Sequence, residues 1–297
     1  MTNKISLLLS LFFLQTGMAK AQEKIWQGTN IRHGNKVSLT AYLAEDNPMG
    51  YGVIICPGGS YYWLDMKNEG DSVALWLQSQ GISAFVLRYR AAGYLAYICK
   101  YRALFRGRQY PDMLTDAQRA LQWVRTHAGA YQVQPDRVGI LGFSAGGHLA
   151  LSAACFHRHD FLKDTGMENE TDLRPSFVGA VYPVATMTGP YAHKRSRRGL
   201  LGERRQHDAA LCDSLSIERH IPPDCPPVFL VHCENDSVVN YRNSVALDSA
   251  LTAAHVEHRY IQYQTGGHSF GASEKRGSPE SREWKSAFVK WLMGIKL

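Results

Sequence analysis

The sequence lacks several features, and each absence narrows the class of protein. No Pro/Ser-rich linker or internal repeat divides its 297 residues into separate units. No His-Glu-x-x-His motif and no Cys/His cluster with metal-site spacing is found, so neither a metal nor a cofactor is expected. The basic residues accompany no recognition helix or aromatic stacking module, so nucleic acid is not the expected partner. Beyond the N-terminus no segment is apolar enough to cross a membrane, so no stable membrane association is expected.

The first 21 residues have the composition of a secretory signal peptide. Lys4 precedes an apolar stretch at residues 5–14, and Ala19-Lys20-Ala21 forms a small-x-small cleavage box before Gln22. This stretch is too short for a comfortable membrane span, and no cysteine follows it as a lipid-attachment site. We expect a signal peptide at residues 1–21, a single domain at residues 22–297, and a periplasmic or secreted product.

Six cysteines are present, and an exported protein could pair some of them. Cys56 and Cys233 fall at predicted strand ends and Cys155 on a small-residue helix, where a buried thiol packs as a small apolar group. Only Cys212 and Cys225 are expected in a loop and near enough to bridge. Mostly free thiols are therefore expected.

Hydrophobic patterning predicts strands that alternate with helices. Strands are predicted at residues 36–43, 51–56, 82–87, 137–141, 177–183, 227–233 and 258–263, and helices at residues 71–80, 112–127, 145–151, 243–254 and 281–293. This alternation is typical of an α/β fold with a mostly parallel central sheet and helices on both faces. In such a sheet functional groups gather at the C-terminal ends of the strands.

One serine lies at such a strand end. Ser144 is the centre of a Gly-x-Ser-x-Gly pentapeptide at residues 142–146, directly after the predicted strand and before the predicted helix. The flanking glycines allow a sharp turn that exposes the hydroxyl, so the motif predicts a nucleophile.

The partners that a serine nucleophile needs are found downstream in the chain. Asp236 lies in the loop after the strand at residues 227–233, and His268 lies in a glycine-rich loop after the strand at residues 258–263. The chain order Ser144, Asp236, His268 is the order that a nucleophile-elbow hydrolase uses. Glu234, two residues before Asp236, is the alternative acid.

An oxyanion site is predicted upstream. Gly59 and Ser60 follow the buried strand at residues 51–56 and offer backbone N–H groups, which the N–H of Ala145 would complete. The alternative is a plain strand-to-loop turn. The next residues, Tyr61 and Tyr62, are candidate substrate contacts.

These motifs together resemble the α/β-hydrolases of the esterase branch, close to bacterial carbohydrate esterases and to the hydrolase domain of prolyl oligopeptidases. The matching stretches lie at residues 56–61, 112–123, 142–149, 232–239 and 266–270, which span nearly the whole mature chain. The resemblance implies one α/β-hydrolase catalytic domain acting on an acylated carbohydrate. Similar members commonly remove acetyl groups from xylan or related plant polysaccharides, and some instead cleave feruloyl or other small esters.

Two other functions stay open. A serine peptidase of the prolyl oligopeptidase kind would need the large extra domain that restricts peptide access in those proteins, and residues 22–297 offer no room for one. A non-catalytic binding module of the same fold usually loses a triad member, whereas all three positions are filled here.

Two segments are longer than ordinary connections and are expected as short insertions at the active-site mouth. Residues 90–110 interleave tyrosines with arginines, and the rings would either stack on sugars or seat the insertion on the core. Residues 186–223 occupy the position of a short cap. Between His193 and His207 the sequence has six basic residues and a single acid, Glu203. This basic run is either a solvated loop or a lid that attracts acidic polysaccharide.

Some nearby polar residues are interpreted as structural. His148, one helical turn after Ser144, is expected to be a packed helix residue, and His232 is expected to brace the acid loop. Asp116 and Arg119 are expected to pair on a helix surface.

Overall fold

A computed structural model describes residues 21–99 and 108–296. Its centre is an eight-stranded sheet with the strand order β1-β2-β4-β3-β5-β6-β7-β8. The strands are β1 (Ala21–Glu23), β2 (Ser38–Tyr42), β3 (Gly52–Cys56), β4 (Ser83–Arg88), β5 (Val138–Phe143), β6 (Val178–Val181), β7 (Val228–Cys233) and β8 (His258–Tyr263). Strands β3 to β8 run parallel, while β2 pairs antiparallel with both β1 and β4. The predicted mostly parallel sheet is confirmed.

Helices connect the strands and cover the sheet. They are α1 (Ser72–Ser79), α2 (Tyr94–Ile98), α3 (Asp112–Thr126), α4 (Ala145–Cys155), α5 (Lys194–Arg205), α6 (Ala209–Ser214), α7 (Arg242–Ala253), α8 (Pro279–Arg282) and α9 (Trp284–Leu292). A π-helical turn at Met66–Asp71 leads into α1. Short 3₁₀ turns lie at Gly34–Lys36, Pro135–Arg137, Lys163–Thr165 and Ile217–Arg219.

The core lies on both faces of the sheet because neighbouring side chains of a strand point to opposite sides. In β3, Ile54 belongs to the apolar cluster that includes α3, α4 and α7, whereas Val53 and Ile55 belong to the cluster that includes α1 and α9. All five residues of β3 are buried, as expected for a central strand covered on both sides.

Several elements differ from the sequence prediction. Strand β1 was not expected, and the helix predicted at residues 281–293 divides into α8 and α9 at Glu283. The basic run forms the helix α5, bent at Gly202, where φ is 76°, rather than a solvated loop. Residues 100–107 of the first insertion lie outside the described residues.

The expected surface pair of Asp116 and Arg119 is wrong. Asp116 is completely buried, and its carboxylate accepts hydrogen bonds from Trp26 Nε1 (2.8 Å) and Arg90 Nε (3.0 Å). Arg119 instead donates to the carbonyl of Ile25 (2.8 Å). The N-terminal segment covers this side of α3, which spacing within the helix cannot reveal.

The six cysteines are free thiols. Cys212 lies in α6 rather than in a loop. The thiol of Cys225 lies against Cys155, and a hydrogen bond between the two thiols, together with burial, raises the pKa of Cys155 well above its ordinary value. Cys225 therefore lies beside Cys155, and not beside Cys212 as the sequence suggested.

Candidate active site

Ser144 lies at the sharp turn between β5 and α4. Its backbone has φ 54° and ψ −119°, a strained conformation for a residue with a side chain. A Cβ at Gly142 would come within 2.0 Å of the Gly146 carbonyl oxygen, and a Cβ at Gly146 within 2.0 Å of the Cys56 carbonyl oxygen. Both motif glycines are therefore required by the close approach of backbone, and the turn presents the Ser144 hydroxyl at the end of β5.

The three residues that chain order singled out come together in space. Ser144 Oγ donates a hydrogen bond to His268 Nε2 (2.9 Å), and His268 Nδ1 donates to Asp236 Oδ2 (2.6 Å). Glu234 is exposed, and the carboxylate that contacts His268 is that of Asp236. This is the geometry of a nucleophile, a base and an orienting acid.

The carboxylate of Asp236 is held on both oxygens. Oδ1 accepts hydrogen bonds from the N–H groups of Val238 (2.8 Å) and Val239 (2.9 Å), and Oδ2 also accepts from His232 Nε2 (3.2 Å). Burial alone would raise the pKa of Asp236, but its hydrogen bonds with His232 and His268 prevail and hold that pKa well below the ordinary range. The acid is ionised at neutral pH, and His232 braces its loop as predicted.

The loop that carries His268 is tied to the acid loop. Gly266 and Gly267 have φ values of 134° and 65°, which favour glycine, and Gly267 N–H donates to Asn235 Oδ1 (2.9 Å). This hydrogen bond between the two loops therefore fixes the position of the imidazole relative to the carboxylate.

The loop after β3 has the backbone expected of an oxyanion site. Gly59 and Ser60 have φ values of 136° and 55°, and Ala145 is the first residue of α4. Within the described parts of the chain, the N–H groups of these three residues make no hydrogen bond with one another or with any other group. They are free to donate to an oxygen bound beside Ser144, at the positive end of the α4 dipole.

Tyr61 and Tyr62 are not placed as substrate contacts. Tyr61 is 0% exposed and donates to His148 Nδ1 (2.7 Å), and Tyr62 is 3% exposed with its hydroxyl bound by Arg198 Nε (2.7 Å). Helix α5 covers both rings, so neither presents a face to a sugar. His148 is a buried helix residue as predicted, and burial lowers its pKa to about 4.

A rim of aromatic and basic side chains, formed by Trp63, Tyr97, Arg195 and Arg198, lies beside the loop after β3 that carries Gly59 and Ser60, here named the oxyanion loop for its proposed role. Trp63 is 37% exposed, its ring lies 5.4 Å from that of Tyr97, and the Arg195 guanidinium lies 5.7 Å from its centroid. Arg195 Nε also donates to Ser60 Oγ (3.0 Å). The described parts of the two insertions therefore meet here: Arg198 Nη2 of α5 donates to the Tyr97 carbonyl of α2 (2.8 Å), and the Trp63 and Tyr97 rings lie against each other.

His193, which precedes α5, is a site neighbour that sequence reasoning did not single out. Its Nδ1 accepts a hydrogen bond from Ser196 Oγ (2.7 Å). Burial lowers its pKa to about 4, and the charges of Arg195 and His268 act in the same direction. The His193 imidazole is therefore neutral at physiological pH, and it lies near enough to His268 and Asp236 for their charges to act on its pKa.

Comparison with known proteins agrees with this geometry. A sequence model of the BD-FAE family matches residues 42–251, which include the oxyanion loop, Ser144 and Asp236. The chain belongs to the BD-FAE family. His268 lies beyond the matched range, and its place in the site comes from the structure.

Named relatives and a solved structure extend the comparison. The chain is 28% identical to an acetylxylan esterase of Xylanibacter ruminicola, over 91% of this chain and 51% of that one. It is 30% identical to an endo-1,4-β-xylanase B of Butyrivibrio fibrisolvens, over 83% of this chain and 37% of that one. The chain thus spans about half or less of the length of these two curated relatives.

The alignment with one solved structure covers both chains almost fully. That structure is of an acetyl ester-xyloside bifunctional hydrolase of Caldicellulosiruptor lactoaceticus, 30% identical, with a TM-score of 0.80 over 94% of this chain and 98% of that one. The chain therefore has the α/β-hydrolase fold.

The described residues contain no group of three or more His, Cys, Asp or Glu side chains arranged to hold a metal ion. Among these same residues, none of the helices is both long and apolar enough to span a membrane.

Proposed function

We propose that this protein is an exported serine esterase that removes acetyl groups from xylan or a related plant polysaccharide. The observation that carries the proposal is the hydrogen-bonded series from Ser144 Oγ through His268 to Asp236, with lengths of 2.9 and 2.6 Å. A hydroxyl is a poor nucleophile at neutral pH, and this arrangement supplies the base that activates it.

Acylation begins at the ester carbonyl. Ser144 Oγ attacks the carbonyl carbon while His268 Nε2 takes the hydroxyl proton, and Asp236 stabilises the imidazolium that forms. The N–H groups of Gly59, Ser60 and Ala145 donate to the oxyanion of the tetrahedral intermediate. When the intermediate collapses, the ester C–O bond breaks, His268 returns the proton to the sugar oxygen, and acetyl stays on the serine.

Deacylation uses the same groups with water. His268 takes a proton from water as the water oxygen attacks the acetyl-serine carbonyl, and the oxyanion again lies at the three N–H groups. Collapse breaks the bond to Ser144 Oγ, which regains its proton from His268, and acetic acid leaves.

The rim supports a carbohydrate as the substrate. Trp63 offers a half-exposed indole beside the oxyanion loop, and an aromatic ring is a suitable surface for the apolar face of a sugar. Arg195 lies over that ring and contacts Ser60. A cation at this position suits a polysaccharide that carries uronic acid groups, as some xylans do.

The test is hydrolysis of a set of substrates by residues 22–297. Acetic acid release from acetylated xylan, with a steep preference for 4-nitrophenyl acetate over the octanoate, is the expected result. Release of ferulate without acetate would move the assignment to a feruloyl esterase. Cleavage of a proline-blocked peptide anilide alone would indicate a peptidase.

Ser144→Ala separates catalysis from folding. We expect kcat to fall by about 10⁴-fold or more with an unchanged circular dichroism spectrum. Ser152→Ala is the matched control, because Ser152 lies on the same helix and its hydroxyl donates to the His148 carbonyl (2.8 Å) rather than to His268. Equal activity of Ser144→Ala and the wild type would refute the proposal.

A further inference from the structure

A buried carboxyl group lies behind the candidate site and takes no part in the triad. Glu69 belongs to the π-helical turn at Met66–Asp71 and is 2% exposed. A Cβ at Gly58 would lie 2.7 Å from Glu69 Oε2 and 2.9 Å from Ser144 Cβ. The carboxyl is therefore separated from the nucleophile by the thickness of one glycine backbone.

Each oxygen of Glu69 binds a different part of the site. Oε2 accepts a hydrogen bond from Gly58 N–H (2.7 Å), directly before the proposed oxyanion donor Gly59. Oε1 accepts from the Tyr182 hydroxyl (2.9 Å). One carboxyl thus contacts the loop after β3 and the residue that follows β6.

Tyr182 carries this connection to the histidine loop. Its hydroxyl accepts a hydrogen bond from Gly271 N–H (2.9 Å), three residues after His268, and its ring centroid lies 4.6 Å from the His268 ring centroid. The turn of Glu69 also packs on this loop directly, since Ala272 N–H donates to the carbonyl of Asn68 (3.3 Å).

We propose that Glu69 is a positioning residue that holds the oxyanion loop and the His268 loop in register through its hydrogen bonds to Gly58 and Tyr182. The role rests on the proposed esterase function. Oxyanion donors and base must both be correctly placed in the transition state, so losing their common anchor would affect turnover more than substrate binding.

The groups around Glu69 decide its charge. It faces Asp65, which caps the start of its turn, Tyr89 after β4, Tyr182 after β6, and His268. Among the described residues Glu69 forms no ion pair with lysine or arginine, and His268 is the basic group whose charge acts on it. Burial raises the pKa of Glu69 to about 7, opposed by the charge of His268.

Ionisation of Glu69 therefore bears on both activity and stability near neutral pH. The carboxylate can accept both hydrogen bonds fully, whereas a proton on either oxygen competes with one of them. The folded-state pKa is raised, so the folded protein retains a proton that the unfolded chain has released. This contribution to stability is full below the ordinary pKa of 4.5 and is lost as pH rises through about 7.

Glu69→Gln tests the role with an uncharged side chain of the same size. We expect kcat at pH 8 to fall by about tenfold or more, with KM changed by less than about threefold. The acid limb of the kcat/KM–pH profile should change, because the variant lacks the Glu69 carboxyl, whose pKa burial raises to about 7. The melting temperature of the variant minus that of the wild type should be larger at pH 8.5 than at pH 5.

Two other variants keep the test decisive if Glu69→Gln does not fold. Tyr182→Phe keeps the ring against His268 but deletes the hydroxyl between Glu69 and Gly271, and we expect kcat to fall several-fold. Asp116→Asn is the matched control. It neutralises another completely buried carboxyl, bound to Arg90 rather than to the active site. It should lower stability without moving the pH profile.

Each outcome bears on a different claim. Suppose that the wild type hydrolyses esters. The role of Glu69 would then be overturned, and the esterase proposal kept, if Glu69→Gln had the wild-type kcat and acid limb or if Tyr182→Phe had the wild-type kcat. A wild type that hydrolyses no ester and is not labelled at Ser144 by a fluorophosphonate would overturn the esterase proposal and, with it, this role.

Discussion

Gly199 of α5 lies directly against the carbonyl of Ser60 in the oxyanion loop. A Cβ at Gly199 would come within 2.2 Å of the Ser60 carbonyl oxygen and 3.1 Å of the Tyr61 Cβ. The contact joins the second insertion to the loop that supplies two of the proposed oxyanion donors. Helix α5 is therefore part of the wall of the site, and its position is expected to affect catalysis.

Gly199→Ala should separate this helix from the loop. Because backbone, rather than a flexible side chain, occupies the space, we expect a loss of about 1–3 kcal/mol in the free energy of unfolding, measured with urea, and a lower kcat. Gly129→Ala is the control, since nothing lies within 4 Å of a Cβ there. Equal stability and activity of the two variants would show that α5 moves freely.

Asp236→Asn should lower kcat by about 10³–10⁴-fold, because an amide can no longer hold the His268 tautomer that accepts a proton from Ser144. Glu234→Gln is the matched control at an exposed carboxyl in the same loop and should leave kcat within about twofold. Steady-state kinetics on 4-nitrophenyl acetate measure both. If Glu234→Gln proved the more damaging change, the acid would have to be reassigned.

Arg195→Gln should affect acidic polysaccharide more than neutral polysaccharide. On acetylated xylan that carries uronic acid groups we expect kcat/KM to fall by about threefold or more relative to an uncharged acetylated xylan. Added salt should reduce the difference by screening the charge. Lys194→Gln, which changes the neighbouring exposed cation, is the control. If the ratio of kcat/KM on the two xylans were unchanged in Arg195→Gln, the proposed recognition of uronic acid groups would be wrong.

Export should remove residues 1–21. We expect the protein recovered from the periplasm or medium to begin at Gln22, as measured by intact mass, and Ala21→Arg to block this cleavage. Strand β1 would keep Gln22 and Glu23, which pair with Thr40 and Leu39. A cytoplasmic product that retains Met1 would contradict the proposed location.

The sequence identified the triad candidates because each follows a strand that is recognisable by itself. Apolar runs are local, and the parallel arrangement that they imply brings strand ends to one edge of the sheet. Ser144, Asp236 and His268 could therefore be named in advance. The sequence left Glu234 of the same loop as an alternative acid, and in the structure the carboxylate that contacts the His268 imidazole is that of Asp236.

Other residues had no such local signal. Glu69 precedes a predicted helix like many exposed acids, and only the fold shows that its carboxyl is enclosed between Gly58 and Tyr182. Asp116 was misjudged for the same reason, because the chain that buries it, at Trp26, is 90 residues away.

What the sequence by itself determined is the succession of the seven strands β2 to β8, the helices predicted between them, and the sharp turn at Ser144, since these depend on periodicity and on glycine at sharp turns. Only the tertiary structure decided which polar groups are buried. It enclosed Tyr61 and Tyr62, turned the basic run into a helix against the oxyanion loop, and left Trp63 and Arg195 at the rim. Burial depends on contacts between segments far apart in the chain, and no local pattern records those contacts.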